Sequence, residues 1–281
     1  MVSGKKKAPV VKSTPAIIQY LAAVDQNKSS TITDNVHSLL KDVTHTKDTK
    51  FFDSLAFDDS GEMMESALDE IAEDKIAFEL NTLYEEYTFA TAKDASLTDD
   101  LRRDKTHQHS ENSLVYGEIE FESFQKFLQC LPPPVSHGEG IFYDIGSGSG
   151  RAVFTARFTG DFDRCVGIEI LPNLHQLAAS VNSLYKILYR HKLKWQTVEF
   201  HCADLMEYDW SDGSVVYAPS LLFDDEMMAY ISTKAKDLKE GAYLISLKKF
   251  AAIDPTAFEM IQEAVFPMSW GSANVYVYRR C

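Results

Sequence analysis

Apolar positions along the chain change their period near Leu114. Before that point they follow helical spacing. Ile76, Leu80, Leu83 and Tyr87 repeat every three to four residues, which predicts a long helix over Glu62–Ala90. Two shorter helices are expected upstream. One spans Pro15–Gln26 with Pro15 in its first turn, and one spans Thr33–Val43 capped by Thr33 or Asp34. The polar stretch Lys93–Asn112 is expected to be a loop. After Leu114, short apolar runs alternate with amphipathic ones. Strands are predicted at Ile141–Ile145, Cys165–Ile170, Thr197–Cys202, Ser214–Ala218, Ala242–Leu247, Ala264–Trp270 and Asn274–Arg279. Helices are predicted at Phe121–Leu131, Arg151–Thr159 and Asp224–Lys236. Another is opened by Pro172, with Leu174, Leu177, Ala178, Val181, Leu184 and Leu188 on one face. Such alternation implies a mostly parallel sheet with helices on both faces. The two closing strands, joined by a short turn at Gly271, imply an antiparallel hairpin at one edge.

Charge narrows the partners. The formal net charge is −14, and residues 1–14 hold four lysines and no acids, so the body is more acidic still. Strong direct binding to nucleic acid phosphate is therefore not expected, and the acidity reads either as plain solubility or as attraction for a basic protein partner. The lysine-bearing start reads as a flexible tail, a nuclear address or a contact with an acidic surface. No apolar run approaches the ~20 residues of a membrane span. The spacing of Cys130, Cys165, Cys202 and Cys281 fits no zinc or redox signature, and Cys165 and Cys202 read as small core residues. With no secretory signal in view, an intracellular location is expected. His107 and His109 lack an evident third ligand, so no metal site is expected.

The candidate chemistry lies where strands end. The run Phe142-Tyr143-Asp144-Ile145-Gly146-Ser147-Gly148-Ser149-Gly150 passes from an apolar strand, through an acid and three alternating glycines, into a helix. Glycine lets the backbone approach a bulky ligand there, and the helix start offers free N–H groups. Glu169 ends the second strand and Asp204 follows the third. In a doubly wound sheet these tips gather along one crevice. An acid at Glu169 can accept both ribose hydroxyls. Asp204 can accept an adenine amino hydrogen while Leu205 packs on the ring. Asp144 can order the glycine loop and face a cationic end of the ligand. The position of Glu169, about twenty residues after Gly150, suits NAD as well. Asp204 and the terminal hairpin shift the balance, and together these features resemble the class I S-adenosylmethionine-dependent methyltransferase pattern.

Flanking motifs sharpen this. Tyr116-Gly117-Glu118 precedes the sheet, Asp144–Gly150 forms an acid-x-glycine-serine-glycine-x-glycine loop, and the next strand ends Gly167-Ile168-Glu169. Leu238–Phe250 and Ser269-Trp270 with Tyr276 and Tyr278 complete the pattern. Across Leu114–Tyr278 the chain resembles the Dot1-like histone lysine methyltransferases. The resemblance implies a class I, Rossmann-like, seven-stranded sheet preceded by a helical N-terminal region. The organisation expected is a basic tail over residues 1–14, a helical region over 15–113 and a methyltransferase domain over 114–281.

It further implies S-adenosyl-L-methionine as cofactor, a histone or nucleosome as substrate, and a nuclear location, with the cytoplasm as alternative. By resemblance Tyr116 closes over the methionine end of the cofactor, and Glu118 holds that lid or faces the active site. Asp144, Gly146, Ser147, Gly148 and Gly150 lie under the methionine portion, Glu169 binds ribose, and Asp204 with Leu205 binds adenine. Trp270 and one of Tyr276 or Tyr278 wall the acceptor channel, so that Tyr116, Trp270 and Tyr276 are the candidate catalytic residues.

The chain departs from the family in three places. After the fourth strand it has Pro219-Ser220 where the family has two asparagines, and Arg151 stands where glutamine is frequent. No basic nucleosome-contacting segment is evident beyond the lysine tail. These departures leave open a methyltransferase for another protein, a small molecule or RNA, and also a cofactor-binding scaffold without catalysis.

Overall fold

The computed structural model describes residues 76–99, 117–129, 131, 140–160, 162–189, 196–268 and 271–281. The basic tail, the helices expected over Pro15–Gln26 and Thr33–Val43, His107, His109, Tyr116, Cys130 and Trp270 lie outside the described residues. Among those described, no helix is long and apolar enough to cross a membrane, and no group of three His, Cys, Asp or Glu could hold a metal ion.

Residues 76–83 are helical, and Leu80 and Leu83 are buried. The expected long helix does not continue to Ala90. It stops at Tyr84, and a new helix, α1, spans Phe89–Thr98, beginning where the long helix was expected to end and running into the stretch expected to be a loop. The break has a local cause. Thr88 takes an extended conformation, and its hydroxyl accepts the Thr91 N–H at 3.3 Å, capping α1. Helix α2 covers Phe121–Gln129.

The sheet follows with the expected alternation: β1 Gly140–Ile145, α3 Arg151–Thr159, β2 Phe162–Glu169, α4 Pro172–Leu188, β3 Thr197–Cys202 and β4 Val215–Ala218. Helix α5 (Asp225–Lys234) then leads to β5 Tyr243–Ser246, β6 Phe258–Met268 and β7 Gly271–Arg280. The strand order is β3-β2-β1-β4-β5-β7-β6. The first five strands are parallel, while β7 runs antiparallel to both β5 and β6. This is the class I methyltransferase sheet.

The final hairpin is longer than its apolar signal, because β6 begins at Phe258 rather than Ala264. As an edge strand it buries little on one face, so its first half carries Glu259, Gln262 and Glu263 and breaks the apolar run. Central strands β4 and β5 are buried at every position, as expected where helices cover both faces. Alternate residues feed two cores. Phe142, Cys165, Tyr217 and Ile245 face one, packed by α2, α3 and α4, whereas Tyr143, Val166, Val216 and Leu244 face the other, packed by α5. Cys165 is buried, which pushes its thiol up to about 12. Cys202 is exposed at the end of β3, not in the core as its apolar neighbours suggested.

Candidate active site

A cleft of about 480 Å³ opens at the C-terminal ends of the parallel strands. Its lining includes Glu118, Asp144, Gly146, Ser147, Gly148, Glu169, Asp204 and Leu205, so the structure brings together most of the residues singled out from sequence. Gly150 begins α3 just beyond, at φ +88°. A Cβ built on Gly150 would stand 2.6 Å from the Phe200 ring, and one on Gly167 would stand 2.6 Å from the same ring and 2.7 Å from Ser147 Oγ. Phe200 on β3 thus presses directly under the glycine loop, which accounts for Gly150 and for Gly167, two residues before Glu169.

The loop is held by backbone bonds and by Glu169. The N–H groups of Gly146 and Ser147 both donate to the Ile168 carbonyl at 2.9 Å. Gly148 N–H donates to Glu169 Oε2, and Leu171 N–H to Glu169 Oε1, each at 2.8 Å. Burial raises the Glu169 pKa, and these N–H bonds work against the rise. The carboxylate keeps lone-pair capacity for a ligand hydroxyl.

Asp144 differs. It is 2% exposed and its Oδ1 has no hydrogen-bond partner. Burial, with the charge of Glu169 adding to it, holds its carboxyl well above the ordinary carboxylate range. Glu169, rather than Asp144, therefore orders the loop. Ser147 Oγ is likewise buried without a partner. Asp204 accepts the Met206 N–H through Oδ1 at 2.8 Å, fixing the turn that carries Leu205 to the cleft.

Glu118 is committed to the protein. Ser149 Oγ donates to its Oε1 at 2.9 Å, and Arg151 Nε lies 2.7 Å from its Oε2. The Arg151 guanidinium lies over the adjoining Tyr84 and Phe121 rings, 4.5 and 4.7 Å from their centroids, and Tyr84 donates its hydroxyl to the Ser149 carbonyl at 2.9 Å. Arginine at the family's glutamine position thus ties three segments together beside the glycine loop. An isolated Glu or Arg in sequence carries no signal of this pairing.

One wall of the cleft is apolar. Pro219, Leu221, Leu222, Phe223 and Leu247 line it, together with Tyr217. Burial raises the Tyr217 hydroxyl well above its ordinary pKa, and the charge of Asp144 adds to this. Ser220 points away from any ligand role. It is fully buried, and its Oγ accepts the N–H groups of Leu247 and Lys248, both at 3.1 Å. Ser220→Ala is expected to lower stability by about 1–3 kcal/mol, because two buried donors lose their partner. Denaturant unfolding reads the loss, and cofactor affinity should stay within about twofold. Tyr276 does not line the cleft. It is buried on β7, paired in register with Ser246, and packs in the core that α5 covers.

Compared with known proteins, residues 97–268 match the family described as histone methylation protein DOT1. No curated protein matches the chain. Similar solved structures include an RNA methyltransferase from Salinibacter ruber in complex with S-adenosyl-L-homocysteine. It is 27% identical over 53% of this chain and 94% of that one, with a TM-score of 0.35. The Bacillus subtilis M1A22 tRNA methyltransferase TrmK is 13% identical over 57% and 65%, with a TM-score of 0.41. TrmN from Thermus thermophilus is 15% identical over 57% and 48%, with a TM-score of 0.42.

Proposed function

Because the chain belongs to the histone methylation protein DOT1 family and is an S-adenosylmethionine-dependent methyltransferase, we propose that it methylates a lysine amine on a basic protein. Histone H3 is the substrate the family implies, and the nucleus the location. The observation that carries this reading is the acid-tipped cleft combined with the family match over residues 97–268. The residues present fit the cofactor. Asp144 Oδ1 is an unpartnered buried acceptor for an ammonium group, and Glu169 offers lone pairs to ribose hydroxyls. Leu205 gives the adenine an apolar face, and the cleft lies within the ~300–1,000 Å³ usual for small-molecule sites.

When bound, the cofactor supplies an electrophilic methyl group on a sulfonium. The protein contributes position, and well-oriented reactants can gain ~7–11 kcal/mol. The glycine loop and Glu169 fix one reactant. The wall of Pro219, Leu221 and Leu222 guides the other. A lysine ammonium must shed its proton to present a lone pair, and an apolar wall disfavours the charged form. Glu118 is held by Ser149 and Arg151, so it does not serve as the base in this reading, and bulk water takes the proton before the acceptor enters. Tyr116 and Trp270 complete the channel in this proposal.

Pro219-Ser220 favours keeping a second reading, a methyltransferase for a non-histone acceptor. Neither residue offers a free side-chain polar atom where the family has amides. A tritiated-methyl assay on nucleosomes, free histones, bulk RNA and cell lysate tests both readings. Label on histone H3 lysine supports the first. Label confined to other proteins or to RNA overturns the histone assignment, and cofactor binding without any label indicates a scaffold.

A further inference from the structure

Helix α1 lies before or at the edge of the family-matched region, yet it is built into the cleft. At its start, Arg151 Nη2 on α3 donates to the Tyr87 carbonyl at 3.4 Å. At its end, Asp99 Oδ2 accepts the Asn173 N–H in the first turn of α4 at 2.8 Å. The N-terminus of α4 has no side-chain cap of its own, so Asp99 supplies one from a distant segment. Asn173 Nδ2 also donates to the Ala95 carbonyl at 3.4 Å. Thus α1 runs from the start of α3, beside the glycine loop, to the start of α4, beside Glu169, and spans the mouth of the cleft. Phe89 and Lys93, four residues apart and so on one helical face, both line it.

The charges lining the cleft are unequal. Of the described lining residues, Glu118, Asp144, Glu169 and Asp204 are acids, while Lys93 and Arg151 are the cations. Arg151 is taken by Glu118. Lys93 makes no ion pair among the described residues. The methionine portion of the cofactor carries a carboxylate, which the surrounding acids repel and which needs a cation. We propose that Lys93 is a cofactor-contacting residue that pairs with this carboxylate, so that α1 is a functional part of the binding site and not only a packing element. The inference rests on the reading that the cofactor is S-adenosylmethionine.

The test compares two ligands on the full chain by calorimetry: S-adenosylhomocysteine and its decarboxylated analogue, which keeps the ammonium. The wild-type chain should prefer S-adenosylhomocysteine. Lys93→Met should weaken it about 10-fold, the scale of one charge-assisted contact, and leave the decarboxylated analogue unchanged. Lys93→Arg should restore the preference. Unchanged affinity for S-adenosylhomocysteine in Lys93→Met, or equal losses for both ligands, overturns the assignment. Uptake of neither ligand by the wild-type chain refutes the cofactor reading itself, and the Lys93 assignment with it.

Discussion

Glu169→Ala is expected to weaken S-adenosylhomocysteine binding by roughly 100-fold or more. Hydrogen bonds to a charged group contribute ~1.5–3 kcal/mol each, and two ribose hydroxyls would lose theirs together. The damage extends to the protein. Gly148 N–H and Leu171 N–H each donate to Glu169 at 2.8 Å, so alanine releases the crest of the glycine loop and leaves two donors unsatisfied. A fall in thermal stability of the ligand-free protein should therefore accompany the lost affinity. Glu169→Gln retains the shape but directs an amide NH₂ group toward one of those N–H donors, so it should recover only part of either property. Calorimetry with thermal unfolding on the same preparations measures both effects. Wild-type affinity in Glu169→Ala would remove the acid from the site.

Asp144→Asn is expected to move stability and binding in opposite directions. The Asp144 carboxyl is buried with Oδ1 unpartnered, and its folded pKa is raised by burial and by the charge of Glu169. A carboxyl with a raised folded pKa holds its proton more tightly in the folded state. Stability is thus fully retained below the unfolded pKa of ~3.9 and falls as pH rises toward the folded value. Asparagine removes that loss. The ligand-free variant should melt higher at neutral pH, by about 2–4 °C for each kcal/mol recovered. It should also lose most of the pH dependence that Asp144 confers on unfolding. Cofactor affinity should drop by roughly 10- to 100-fold, because a neutral amide replaces the charge-assisted partner of the ammonium. In the wild-type chain, affinity should rise with pH as Asp144 ionises, and in Asp144→Asn this rise should flatten. A variant that melts lower and binds as well as wild type would contradict the role given to Asp144.

The parallel sheet was legible because its strands are covered on both faces and read as short apolar runs separated by glycine, acid and proline. Strand β3 and helix α3 coincide with their predicted bounds. The acids were legible too, since the topology brings every strand tip to the same side. The misreadings arise where local polarity hides tertiary use. Helix α1 buries only Ala92 and Ser96 among small residues, so its polar surface resembled a loop, although its ends are fastened to α3 and α4. Tyr276 shares the alternation that places aromatics on one face of β7, and that face is the core that α5 covers rather than the cleft. The committed state of Glu118 depends on Arg151, thirty-odd residues away, and no spacing rule links the two.

An adenosyl ligand should bind in this cleft. Titrating the purified full chain with S-adenosylhomocysteine and, separately, with NAD tests that most directly. Saturable uptake of S-adenosylhomocysteine, lost in Glu169→Ala, with no measurable uptake of NAD is the result expected. Tight NAD binding with no response to S-adenosylhomocysteine would contradict it.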